Sequence, residues 1–148
     1  MLTTVEQLHA VELLKASFVA YPLLNALHIL SIGVLVGSIL LMDLRIIGVA
    51  RYVDAATHFR FMRRAIAIAL SFAVTSGLAL FSIRASEYAV NPAFQVKLLL
   101  LALAGLNFVI FHMFARTPEP TGAAKLVAAL SMCLWVSILV AGRFIGFV

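Results

Sequence analysis

The sequence predicts an all-α membrane protein, a four-transmembrane-helix bundle with a short N-terminal amphipathic surface helix. Of its 148 residues, 64% are hydrophobic and only 11% are charged, whereas soluble domains average about 45–50% apolar and roughly 25% charged residues. The mean hydropathy is +1.13, and the apolar residues form runs of the roughly 20 residues that a spanning helix needs. This length suits one small bundle, so we expect a single domain over residues 1–148.

The N-terminal segment, residues 1–20, is predicted to form an interfacial amphipathic helix with Thr3 or Thr4 as its N-cap. It contains two glutamates and lacks a basic start, so we expect no cleavable signal peptide. Pro22 is suited to the first turn of a spanning helix, where its missing N–H costs nothing. The predicted spans cover residues 21–48, 61–83, 93–115 and 123–147.

The links between the predicted spans contain turn residues and basic residues, and the basic residues indicate the membrane topology. A turn is predicted at Asn91-Pro92, and residues 116–122 (RTPEPTG) form a clear break. The first and third links hold most of the basic residues: Arg45, Arg51, Arg60, Arg63, Arg64, Arg116 and Lys125. By the positive-inside rule these links are cytoplasmic. We therefore expect a multi-pass protein of a bacterial inner membrane with both termini periplasmic.

The charge and cysteine content exclude several function classes. The formal net charge is +5, but the basic residues lie between apolar runs, which indicates membrane topology rather than nucleic-acid binding. Cys133 is the lone cysteine, so it forms no intrachain disulfide, and no CxxC or Cys/His zinc spacing occurs.

Small residues in the spans predict where helices pack closely. Gly33 and Gly37 form a GxxxG motif about half a turn away from His28, and residues 75–77 (Thr-Ser-Gly) provide a second small patch. We expect a neighbouring helix to approach the two glycines, which would leave the His28 face to a cavity.

Ionisable residues inside the spans predict two polar layers. Such residues are costly in a membrane and usually face the bundle interior with a function. His28 and Lys97 each lie five or six residues after the proline that opens their span, so at about 1.5 Å per residue they are level. Asp43 and His112 come fifteen residues later on the same helices, which places a second layer roughly 22 Å further along the axis.

The outer layer contains one metal-ligating side chain and several cations. Buried positive charge requires an anionic partner, and a b-type haem fits, with His28 binding iron and the propionates pairing with Arg143, Arg84 or Lys97. A neutral Lys97 could itself be the second axial ligand. Alternatively, His28 donates to a backbone carbonyl while Lys97 and Arg143 extend to lipid head groups. The full predicted site is His28, Lys97, Arg143, Arg84, Asn25, Tyr21 and His112.

The inner layer consists of Asp43, His112, Arg45 and Arg116. One interpretation is a set of interfacial ion pairs that anchor helix ends. The other makes His112 a second iron ligand, or a proton-handling group paired with Asp43. The sequence accordingly predicts one haem b, or two.

Several stretches of the chain carry a family resemblance: LHILSIGVLVGSILLMDLRIIG, TSGLALF, NPAFQVKLLLLALAGLNFVIFH and AGRFIGF. They resemble an uncharacterised family of bacterial four-helix membrane proteins that is related to the copper-resistance protein D group. That family is also similar to the four-helix protoporphyrinogen oxidase, which binds haem b. In the oxidase family a histidine early in helix one and a lysine early in helix three are associated with haem binding and activity. The resemblance therefore implies His28 and Lys97 as iron-binding residues, with Lys97 also catalytic, whereas Asp43-Leu44-Arg45 departs from the oxidase pattern and argues against protoporphyrinogen oxidation.

The leading functional prediction is a haem-b protein that passes electrons between a quinol, or another membrane redox partner, and a periplasmic redox protein. One alternative is an oxidase acting on a porphyrin through the same His28 and Lys97. Another is a non-redox transport or assembly subunit for copper or an organic solute, although scattered methionines and a single cysteine argue against copper. Expected partners are the lipid bilayer, quinone, a redox protein and a further copy of the chain through its lipid-facing surface, with no nucleic acid.

Overall fold

The structure, a computed structural model, describes residues 6–49, 54–114 and 121–147, with all side chains except those of residues 10, 55 and 112–114. Its regular elements over these ranges are α1 (His9–Ala16), α2 (Ala20–Ile47), α3 (Ala55–Ile83), α4 (Ala85–Val90), α5 (Pro92–Phe114) and α6 (Gly122–Phe144). Helices α2, α3, α5 and α6 are each long and apolar enough to cross a membrane. The prediction of an all-α four-helix bundle is confirmed.

The second spanning helix begins well before its predicted start at residue 61, because the link contains a good N-cap. The Asp54 carboxylate accepts a hydrogen bond from the Thr57 N–H at 2.9 Å, which satisfies one of the free donors at the helix start. Arg60 therefore lies on α3 rather than in a link. Thr121 caps α6 in the same way, with its hydroxyl oxygen 3.2 Å from the Ala124 nitrogen.

The link predicted between the second and third spans contains the short helix α4. Three aromatic rings stack around it, from the end of α3, from α4 and from the start of α5: Phe81, Tyr88 and Phe94, with centroids 5.4 to 6.4 Å apart. The predicted turn at Asn91-Pro92 is present, and the Asn91 side chain caps α5 by accepting from the Phe94 N–H at 3.0 Å. This corner ties α3 to α5.

The predicted surface helix is α1, which lies against α2 and α3. Its apolar side buries Val11. Just before α1, the Glu6 carboxylate accepts from both the backbone N–H and the hydroxyl of Ser86, each at 2.7 Å. The predicted caps Thr3 and Thr4 lie outside the described residues.

Helix α2 is the centre of the bundle. It packs along α3 and along α6, and α6 packs along α5. Within the described ranges, no Cα atom of α3 comes within 8 Å of one in α5 or α6. The order of packing is therefore α3–α2–α6–α5. We call the end where α2 begins the His28 end, and the opposite end the Asp43 end.

Alanines let these helices approach closely. One core cluster joins Leu35 and Ile39 of α2 to Ala69 and Ala73 of α3, with Trp135 of α6 packed against them. A second cluster, at the Asp43 end, consists of Ile46, Ala124 and Ala128, with Met42, Ile47, Phe59 and Phe111 packed against it.

The GxxxG prediction is wrong within this chain. A Cβ atom added at Gly33 or Gly37 would meet nothing within 4 Å, so none of the described helices lies closely over them. The GxxxG spacing is a local pattern, and the partner that a helix meets is decided by the whole bundle.

Candidate functional site

His28 lies half-buried on α2 with its ring against α3. Its Nδ1 atom is 2.9 Å from the hydroxyl oxygen of Ser76, a residue only 2% exposed. The Ser76 hydroxyl donates its proton to the Phe72 carbonyl one turn earlier. A hydroxyl has one proton and two lone pairs, so Ser76 must accept from Nδ1–H. This bond places the neutral ring's proton on Nδ1 and leaves the Nε2 lone pair for another partner.

Gly77 provides the space for the His28 ring. A Cβ atom at this position would lie 3.0 Å from Cε1 of His28 and 3.9 Å from Nε2. The prediction of close packing at residues 75–77 is therefore confirmed. The expectation that the His28 face is left open to a cavity needs correction, because one edge of the ring packs on α3 and the Ala73 carbonyl is a further acceptor beside it.

Lys97 is half-buried on α5 and follows the backbone of α6. Its Nζ, Cε and Cδ atoms would lie 3.6 to 3.8 Å from a Cβ atom at Gly142. It is within electrostatic range of His28, although no Cα atom of α5 comes within 8 Å of one in α2 over the described ranges. No carboxylate pairs with Lys97 among the described residues. The two side chains that the depth argument places level therefore share the His28 end.

The remaining predicted residues are arranged less closely. Arg143 follows Gly142 and is exposed, with its guanidinium 4.7 Å from the Phe147 ring centroid. Arg84 is exposed and pairs with Glu87 at 3.3 Å. Tyr21 and Asn25 are exposed on α2, and the side chain of His112 is not among the described ones. The structure thus brings together His28, Lys97 and the Gly142-Arg143 segment, and the ligand roles of all these residues stay predictions.

Asp43 is the buried carboxylate of the other end, at 4% exposure. The hydroxyl of Ser131 on α6 donates to it, while its Oδ2 atom has no hydrogen-bond partner. Within the described residues Asp43 forms no ion pair, and because the His112 side chain is not among the described ones, the ion-pair interpretation of the inner layer stays a prediction. Arg45 instead lies within electrostatic range of Asp54, and Arg116 lies outside the described residues.

A surface groove of about 530 Å³ runs along α3 at the Asp43 end, lined by Ala56, Phe59, Arg60, Arg63, Arg64 and Ala67. It is remote from His28. Its three arginines are exposed, and such a cluster binds anionic groups such as lipid phosphates.

Sequence reasoning missed three partners of the predicted site: Ser76, Gly77 and Gly142. The signal was available for the first two. Helices α2 and α3 are joined by a short link and run antiparallel. The polar Ser76 and the small Gly77 therefore fall opposite His28. Gly142 is indicated by its neighbour Arg143, which is predicted to lie at the level of Lys97.

A family model matches residues 15–148, which include all four long helices. The chain belongs to the DUF6644 family. DUF6644 is described as a family of unknown function. No curated protein and no solved structure matches the chain.

Proposed function

We propose that the chain is a haem-b-binding membrane protein in electron transfer, with His28 as an iron ligand. The observation that carries this proposal is the hydrogen bond from His28 Nδ1–H to Ser76, because it holds the unprotonated Nε2 in a defined orientation. Metal-ligating histidines commonly donate their second ring N–H to a fixed acceptor, which sets the tautomer and raises ligand basicity.

The donor set is compatible with haem. Over the described residues no three His, Cys, Asp or Glu side chains gather as a metal site, but haem iron takes four nitrogens from the porphyrin and needs one or two from protein. Bound haem would supply a one-electron iron couple. Lys97 and Arg143 carry positive charge at the same end, which suits the two propionates. A neutral Lys97 is the alternative second ligand.

The proposal extends to orientation and partners. The three exposed arginines of the groove on α3 lie at the Asp43 end, and clustered basic residues favour the cytoplasmic side. Both termini of the described chain lie at the opposite end, which is then periplasmic in a bacterial inner membrane. A quinone or membrane partner and a periplasmic redox protein are the proposed electron donor and acceptor.

Absorption spectra of the purified protein test the haem proposal. We expect a Soret band and sharp α and β bands on reduction, lost in His28→Ala and retained in His9→Ala, a matched change at an exposed position on α1. If Lys97 is the second iron ligand, Lys97→Ala should shift the positions of the α and β bands of the reduced protein. A colourless protein from haem-replete cells contradicts the proposal and favours the transport or assembly alternative.

A reporter fusion tests the orientation. Alkaline phosphatase is active only in the periplasm, so we expect activity when it is fused after residue 147 and none when it is inserted in the third link. The reverse pattern would overturn the orientation and leave the haem proposal standing.

A further inference from the structure

Asp43 is an ionisable group that the proposed function does not use. It lies four residues before the end of α2, about 6 Å along the helix axis from its last residue. It is buried between α2 and α6, with the Ser131 hydroxyl as its hydrogen-bond donor. Since Oδ2 has no partner, the bond from Ser131 goes to Oδ1.

An ionised carboxylate is costly in this setting. Transfer of an isolated carboxylate into a low-dielectric interior costs so much that such a group normally binds a proton and becomes neutral. One hydroxyl donor offsets only a small part of this cost, because a hydrogen bond to a charged group contributes about 1.5–3 kcal/mol. Intramembrane carboxylates that persist despite the cost commonly serve in proton transfer.

The charged groups described on the helices around Asp43 do not neutralise an ionised Asp43 carboxylate. On α2 itself, Arg45 lies within electrostatic range of Asp54. On α3, His58 is half-buried, with a ring nitrogen that has no hydrogen-bond partner. On α6, Lys125 is exposed at the first turn. Helix α1, with His9, Glu12 and Lys15, packs at the His28 end, and the side chain of His112 on α5 is not among the described ones.

We infer that Asp43 is a proton-binding site: its Oδ2 binds a proton, Ser131 donates to Oδ1, and the proton exchanges with water at the Asp43 end. Binding forms one O–H bond, and release returns the proton to water, so no redox partner is required. The site does not depend on haem, because His28 and Asp43 lie at opposite ends of α2.

Infrared spectroscopy of the purified protein tests this inference. The chain has only six Asp and Glu residues, and the other described ones are exposed or bonded at the surface, so a protonated carboxyl can be assigned. We expect a carbonyl-stretch band of a protonated carboxylic acid that shifts in D₂O and is still present at pH 6, where exposed carboxylates are ionised. It should disappear in Asp43→Asn and persist in Asp54→Asn, which changes an exposed N-cap carboxylate.

Ser131→Ala provides the second variant if Asp43→Asn does not fold. Loss of the donor to Oδ1 should move the band to higher frequency. Absence of the band at pH 6, a band that survives Asp43→Asn, or a band that is unchanged in Ser131→Ala overturns the inference. A band that appears only when sodium is removed overturns it too, in favour of a bound cation. None of these measurements uses the haem spectrum, so failure of the Asp43 inference would leave the haem proposal standing, and the reverse.

Discussion

Ser76 of α3 stands directly against His28 of α2, with its hydroxyl oxygen 2.9 Å from Nδ1, although 48 positions separate them in the chain. Because the hydroxyl proton of Ser76 is committed to the Phe72 carbonyl, the direction of this bond follows without reference to any ligand. The pair therefore makes Ser76 a positioning residue for whatever His28 Nε2 binds.

Ser76→Ala should weaken haem binding while leaving the bundle folded. Loss of such an outer hydrogen bond to a metal-ligating histidine typically costs 10–100-fold in affinity, and we expect a loss in that range by haem titration of the apoprotein. Ser71→Ala is the matched control, since Ser71 is exposed and bonds only within its own helix, to the Ala67 carbonyl. Equal affinities in the two variants would contradict the positioning role.

Gly77→Ala should destabilise the protein, because the new methyl group would lie 3.0 Å from His28 Cε1 and force the ring to move. Overpacking of this kind costs about 1–3 kcal/mol. Gly105→Ala is the control, with nothing within 4 Å of the added atom, and should be neutral or more stable by about 1 kcal/mol. Thermal unfolding in detergent measures both, and a Gly77→Ala protein as stable as Gly105→Ala would refute the contact.

Acid should release the N-terminal segment from the bundle. The backbone N–H of Ser86, followed by its hydroxyl, lowers the pKa of Glu6 below the ordinary glutamate value. A carboxyl with a lowered folded-state pKa stabilises the fold above its ordinary pKa, and that stabilisation is lost as the pH falls through the folded-state pKa. The protection factors of residues 9–16, which are exchange rates corrected for the intrinsic rate at each pH, should therefore fall as the pH drops below the ordinary glutamate pKa.

Glu6→Gln should show the faster exchange already at pH 7, because a neutral amide is a weaker acceptor for the two Ser86 donors. The control is Glu12→Gln, at an exposed position on α1, which should keep the wild-type exchange rate. Unchanged exchange in Glu6→Gln would show that the hydrogen bonds from Ser86 to Glu6 do not hold α1 in place.

Lys97→Met should raise thermal stability while impairing cofactor binding. Lys97 is half-buried without a carboxylate partner among the described residues, so an apolar side chain of similar length removes an uncompensated charge. Such replacements at functional sites commonly add about 0.5–2 kcal/mol at the expense of function. Thermal unfolding with and without haem separates the two effects, and a less stable variant would show that Lys97 is structurally required.

The fold was predictable because a bilayer imposes the length and apolarity of each spanning helix, and these are visible in residue order alone. The level placement of His28 and Lys97 was predictable as well, because the rise per residue of a helix is constant. Helix α4 was missed because Arg84, Glu87 and the Asn91-Pro92 turn make its six residues look like a polar link. Its aromatic contacts, from Tyr88 to Phe81 and Phe94, depend on how the chain turns between α3 and α5.

The partner of each polar side chain was harder to predict, because it depends on how each helix is rotated about its axis. Gly33 and Gly37 had the expected packing motif, yet the close contact occurs at Gly77. In the same way Asp43 was placed at the correct end, but its partner Ser131 depends on the contact between the first and last spans.

The packing order α3–α2–α6–α5 has a consequence for biosynthesis. Helix α2 meets α3 as soon as both have entered the membrane, but its other neighbour, α6, leaves the ribosome only after α5. The interface that buries Asp43 against Ser131 therefore forms only after insertion of α6, as a docking of two completed hairpins. Fragments 1–90 and 91–148, expressed together, should reassemble and copurify, whereas recovery of each fragment alone would show that the hairpins need a continuous chain to find each other.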